Sequence, residues 1–108
     1  MSMKIKKSTK NGYTVFKLVG DASSEETYKL SKVFEETRAK GVERMAIDLS
    51  ETSFIDSSTL GVLIFNWKVC KQQKGELCLV SVNAYMQDLL KNSKLDTVFR
   101  IVENEDQL

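Results

Sequence analysis

Residues 45–49, MAIDL, form an apolar run of strand length, and behind them large apolar residues recur from Leu60 to Cys70 at the three- and four-residue spacing of a helix. Between the two lies the stretch 53–61, SFIDSSTLG. A strand that ends in a hydroxyl-rich loop and then opens a helix presents backbone N–H groups and hydroxyls at one tip of a sheet. That tip is where α/β proteins usually place their function.

The same alternation extends along the chain. Residues 3–8 and 13–19 read as strands joined by Asn11-Gly12, a pair suited to the positive φ angles of a tight hairpin. The second of these is the more deeply buried, and its pattern leaves room for a bulge. Gly20-Asp21-Ala22 breaks it. Ser23 and Glu26 then have the spacing of a capping box, so a helix is predicted from about residue 24 to 40, burying Thr27, Leu30, Val33, Phe34 and Thr37 and stopped by Gly41.

Residues 42–49 give a central strand, with Asp48 expected in solvent at its end or bonded to loop N–H groups. Asp56 or Ser57 caps a second helix running to about residue 74, ahead of Gly75. A strand over 76–82, a helix over 84–92 capped by Asn83 and a last strand over 97–102 follow, while 103–108 is too short and polar to assign. Right-handed crossovers make the later strands mostly parallel, so the expected fold is α/β, one domain with an N-terminal hairpin and a single mixed sheet.

Composition excludes several function classes. The 108 residues contain no histidine, which removes Ser-His-Asp and Cys-His mechanisms and most zinc sets. Cys70 and Cys78 belong to no C-x-x-C pair and are expected to be buried, reduced thiols. A net charge of +1 gives no electrostatic footprint for nucleic acid or an anionic membrane, and no apolar run is long enough to span a bilayer. A cytoplasmic protein without cofactor or metal is expected. Gly61 is the lone glycine of the loop, so neither a Walker loop nor a dinucleotide fingerprint is present. Taken on chemistry alone, Asp56 and Ser57 are helix caps beside a helix end that favours an anion.

Residues 46–65, AIDLSETSFIDSSTLGVLIF, resemble the STAS domain of bacterial anti-sigma factor antagonists, and the order and spacing of the other elements resemble that family too. The resemblance implies a non-enzymatic switch. Ser57, directly after Asp56, would accept a phosphate from an anti-sigma factor serine kinase that uses ATP. The unphosphorylated domain would bind that kinase and release a sigma factor, and a serine phosphatase would reset it.

Ser23, Asp56, Ser58 and Thr59 would lie at the partner-binding surface, joined by Val62 and Phe65. These last two belong, with Val69, to a second apolar stripe opposite that of Leu60, Leu63, Ile64, Trp67 and Cys70, and the second stripe is either covered by the neighbouring helices or exposed as an apolar patch beside Ser58. Two departures stand out. Thr59 replaces a common glycine and adds a possible acceptor hydroxyl, and Ser23 replaces a common aspartate near the phosphorylated serine, removing a charge. The alternatives are a STAS-fold module that binds a nucleotide, lipid or transporter component without phosphorylation, and a small enzyme using Asp48 or Asp56 as a base.

Overall fold

Asn11 and Gly12 take positive φ angles of 52° and 85°, and the hairpin they form joins β1 (Lys4–Lys10) to β2 (Tyr13–Val19) in antiparallel register. The computed structural model describes residues 3–21 and 24–108. The order continues with α1 (Ser24–Ala39), β3 (Arg44–Glu51), α2 (Ser57–Gln72), β4 (Glu76–Val80), α3 (Ala84–Asn92), β5 (Arg100–Val102) and a single 3-10 turn at Glu105–Gln107. The strands lie side by side in sequence order, and β2 to β5 are parallel.

Strands that advance one neighbour at a time through crossovers of one hand place every crossover helix on the same face of the sheet. Leu30 and Phe34 of α1, Leu63 of α2 and Leu90 of α3 accordingly share one core with Phe16, Ile47 and Leu79 of the sheet. The Phe16 and Phe34 rings meet edge to face with centroids 5.4 Å apart. On the opposite face Val15, Ala46, Cys78, Val80 and Val102 form a smaller cluster, with Leu108 packed on it. Both thiols are free and buried, as expected, and burial raises both; Cys78 is pushed up to about 11.

Asp48 accepts a backbone N–H just past Leu49, as one of its two expected readings had it, but it is not in solvent. Strand alternation turns it to the face away from the helices, where it is buried, bonds the Ser50 N–H at 2.9 Å and meets the carboxyl of Glu105. The unassigned C-terminal residues are what cover it.

Element ends shifted where turns intervened. β3 runs on to Glu51 because Val19 still pairs with it past the expected bulge between Lys17 and Val19. β4 stops at Val80, before the positive φ of Ser81, and β5 starts only at Arg100 because the N–H groups of Val98 and Phe99 turn back to Leu95 O. α2 ends at Gln72, with Lys74 rather than Gly75 at positive φ. Gly75 is needed for a close approach: a Cβ there would lie 2.3 Å from Glu43 O. The Ser23 half of the predicted capping box lies outside the described residues. Among those described, no helix is long and apolar enough to cross a membrane.

Candidate functional site

The loop between β3 and α2 is tethered from both sides. At its start the Thr52 hydroxyl donates to Leu18 O at 2.8 Å, and its N–H donates to Leu49 O at 3.1 Å. Asp21, just past the end of β2, then accepts the Ser53 N–H at 3.2 Å, the Phe54 N–H at 3.1 Å and the Ser53 hydroxyl at 3.0 Å. From the other flank Asn83 Nδ2 donates to Ser53 O at 2.9 Å while its Oδ1 accepts the Met86 N–H and caps α3. Ile55 is buried and pins the loop to the core. Sequence reasoning read Asp21 as part of a strand break and Asn83 as a cap. Their shared hold on the loop depends on β2, β3 and β4 being adjacent, which no local pattern encodes.

Asp56 is the cap of α2, with extended backbone and its Oδ1 2.8 Å from the Thr59 N–H. The bonds from Thr59, its backbone N–H above all, hold this carboxyl below the usual carboxylate range. Ser57 and Ser58, the first residues of α2, are both exposed. Thr59 is fully buried, its hydroxyl 3.1 Å from that of Thr27 on α1. This corrects the expectation that Thr59 is a partner contact and a spare acceptor. A helix turns about 100° per residue, so three successive hydroxyls cannot all face outward.

Further along α2, Leu60, Leu63 and Cys70 are buried, and Trp67 lies partly buried with its ring 6.2 Å from that of Phe99. The second stripe is not a continuous outer face. Val62 and Val69 are half-buried, Val62 packed against the main core, and Phe65 alone of the three stands out, 58% exposed. Asn66, which the sequence reading overlooked, is buried between α2 and α1, donating to Val62 O at 2.7 Å and accepting from Arg38. Phe54 and Tyr85 form a second exposed aromatic feature, centroids 6.0 Å apart, on the other flank of the loop.

The structure thus brings Asp56, Ser57 and Ser58 together at one exposed helix start, with Phe65 about two turns along the same helix. Asp48 lies on the other face of the sheet, away from this group. No metal-holding cluster of His, Cys, Asp or Glu occurs among the described residues, and Ser23 lies outside them.

The family model for the STAS domain matches residues 4–108. The chain belongs to the STAS domain family. One relative of this STAS chain, an anti-sigma F factor antagonist of Paenibacillus polymyxa, is 26% identical over 106 residues, covering 97% of this chain and 91% of the relative. The fold is also similar to that of a candidate anti-sigma factor antagonist from Thermotoga maritima, with a TM-score of 0.89 at 24% identity over 95% of this chain and 89% of the other. A third match is the Bacillus cell fate determinant SpoIIAA in its phosphorylated form, with a TM-score of 0.78 at 15% identity, covering 98% of this chain and 95% of that one. At such identities the two structures speak for the STAS fold alone.

Proposed function

We propose that this STAS chain is an anti-sigma factor antagonist working as a phosphorylation-controlled binding switch. In its unmodified form it binds an anti-sigma factor serine kinase in the cytoplasm and so frees a sigma factor. The kinase then transfers a phosphate from ATP to Ser57. The Ser57 oxygen bonds the γ-phosphorus, ADP leaves, and the hydroxyl proton passes to a general base that the kinase supplies. A serine phosphatase resets the switch.

The observation that carries this reading is the exposed Ser57 hydroxyl at the first position of α2, directly after the capping Asp56, on a loop fixed by Asp21 and Asn83. The 26% identical relative named as an anti-sigma F factor antagonist supports the class. The phosphate adds roughly −1.5 to −2 charges at neutral pH beside the positive end of the helix, which accommodates them without unfolding the domain. A partner surface shaped for a neutral hydroxyl is then repelled: two unit charges about 4 Å apart cost on the order of 4 kcal/mol at an effective dielectric of 20.

Titrating the purified anti-sigma kinase with the unmodified and the Ser57-phosphorylated chain tests the switch. Affinity is expected to fall by roughly a thousandfold on phosphorylation, the equivalent of about 4 kcal/mol, with the circular dichroism spectrum unchanged. Equal affinities would refute it.

A further inference from the structure

The face of the sheet that carries no helix is closed by residues 103–108. Lys10 Nζ lies 3.0 Å from Asp106 Oδ1, Arg100 Nη2 donates to Gln107 O at 3.0 Å, and Asn11 Nδ2 donates to Leu108 O at 3.1 Å. Leu108, the one apolar side chain of the segment, packs on the smaller apolar cluster of that face. The segment is thus held by a few polar bonds at the surface and a single leucine. Such bonds are individually weak, and a segment held by them opens more readily than the core beneath it.

One contact under the segment is of a different kind. The Asp48 carboxyl, on a residue only 4% exposed, meets a second carboxyl, that of Glu105. Two carboxylates in contact repel each other, whereas one proton between them turns the same contact into a strong hydrogen bond. The nearby cations each have another carboxylate against them: Lys17, opposite Asp48 on β2, lies 3.1 Å from Glu51, and Lys10 of β1 is held by Asp106. On β4 the neighbour of Asp48 is Val80, on its own strand Asp48 accepts the Ser50 N–H, and Arg100 of β5 directs its donors to Tyr13 and Gln107.

We propose that residues 103–108 form a pH-sensitive latch, closed over the helix-free face by one proton shared between Asp48 and Glu105 and loosened when that proton leaves. The proton resides on Glu105. Its bond to Asp48, then burial and the Asp48 charge, raise this carboxyl above the usual range. Burial opposes the charge on Asp48, but the bonds from Glu105 and Ser50 outweigh it and hold that carboxyl below the usual range. The contribution of Glu105 is lost as pH rises through its raised value, and that of Asp48 as pH falls through its depressed one, so the latch is tightest near about pH 4. A rise toward neutrality loosens Leu108 from the apolar cluster. The latch lies on the face opposite α2 and stands independently of the reading of Ser57.

Nuclear magnetic resonance of the whole chain between about pH 4.5 and about pH 7.5 tests this, with the Leu108 methyl shifts giving the ratio of docked to free segment. In the wild type the ratio is expected to fall at least about tenfold, the equivalent of a difference of about one unit in the Glu105 pKa between the two states. Glu105→Gln donates to the Asp48 carboxylate at every pH, and Asp48→Asn gives Glu105 a neutral partner. Both keep the size of the side chain and the Lys10–Asp106 ion pair, and in both the ratio is expected to change by less than about twofold over the range. A wild-type ratio that does not vary with pH, including a segment still fully docked at the upper end, would overturn the proposal. So would a fall of the wild-type size in either variant, which would place the titrating group elsewhere.

Discussion

The Thr59 hydroxyl lies 3.1 Å from the Thr27 hydroxyl in a buried contact that ties the first turn of α2 to α1. Thr59 is therefore a packing residue, two positions from Ser57 yet without exposed surface. Thr59→Ala removes this hydrogen bond and a buried methyl, and is expected to cost about 1–2 kcal/mol in chemical denaturation. Phosphate acceptance at Ser57 should persist in the folded variant. A neutral effect on stability would show that the contact contributes nothing.

Asp56, not Ser57, caps α2, so their substitutions should separate. Asp56→Ala is expected to lose about 1 kcal/mol and Ser57→Ala no more than about 0.5 kcal/mol, read from paired thermal melts. The reverse order would make Ser57 the structural residue.

The Asp56 carboxyl also has a pH signature. Its folded-state pKa is depressed by the bonds from Thr59, so its charge stabilises the fold fully above the ordinary carboxylate range, and that stabilisation is lost as pH falls through the depressed value. Asp56→Asn keeps a capping oxygen but cannot titrate. The stability gap between wild type and Asp56→Asn is expected to shrink as pH falls from about 6 to below about 3. A gap constant across that range would mean that the carboxylate charge is irrelevant.

Two positions on α2 test which face meets a partner. Phe65→Asp places a charge on an exposed position and is expected to abolish kinase binding while changing stability by less than about 1 kcal/mol. Leu63→Ala opens a cavity beneath the same helix and is expected to cost about 2–5 kcal/mol. Tight binding by a folded Phe65→Asp variant would place the interface elsewhere.

Asp21 is expected to hold the loop still. Asp21→Ala removes the acceptor for the Ser53 and Phe54 N–H groups, so both amides should exchange with solvent faster while the β3 core amides keep their protection. Unaltered exchange at residues 53 and 54 would remove Asp21 from the account.

Much of this was legible in the sequence because it depends on local spacing. Asn11-Gly12 fixed the hairpin, Asn83 the start of α3, and the run from Leu60 to Cys70 the helix that faces the sheet. The loop that leads into Ser57 was legible from its motif. What the sequence concealed depends on the third dimension. Asp21 and Asn83 meet the same loop from opposite flanks across the sheet, and Asp48 is buried because a C-terminal segment too short to assign folds over its face. Val62 and Phe65 looked alike on a helical wheel, yet only the structure shows neighbours reaching the first and leaving the second in solvent. Thr59 likewise looked like one of several serviceable hydroxyls until α1 supplied Thr27 as its partner.

The central claim is that Ser57 carries the phosphate. Incubating the chain with ATP and the purified anti-sigma kinase, then mapping the modification by tandem mass spectrometry, tests it most directly. The account predicts a single phosphate on Ser57, absent from Ser57→Ala, with Thr59 unmodified. A phosphate confined to Ser58 or found on Thr59, or no phosphate under conditions where the kinase phosphorylates a known antagonist, would contradict it.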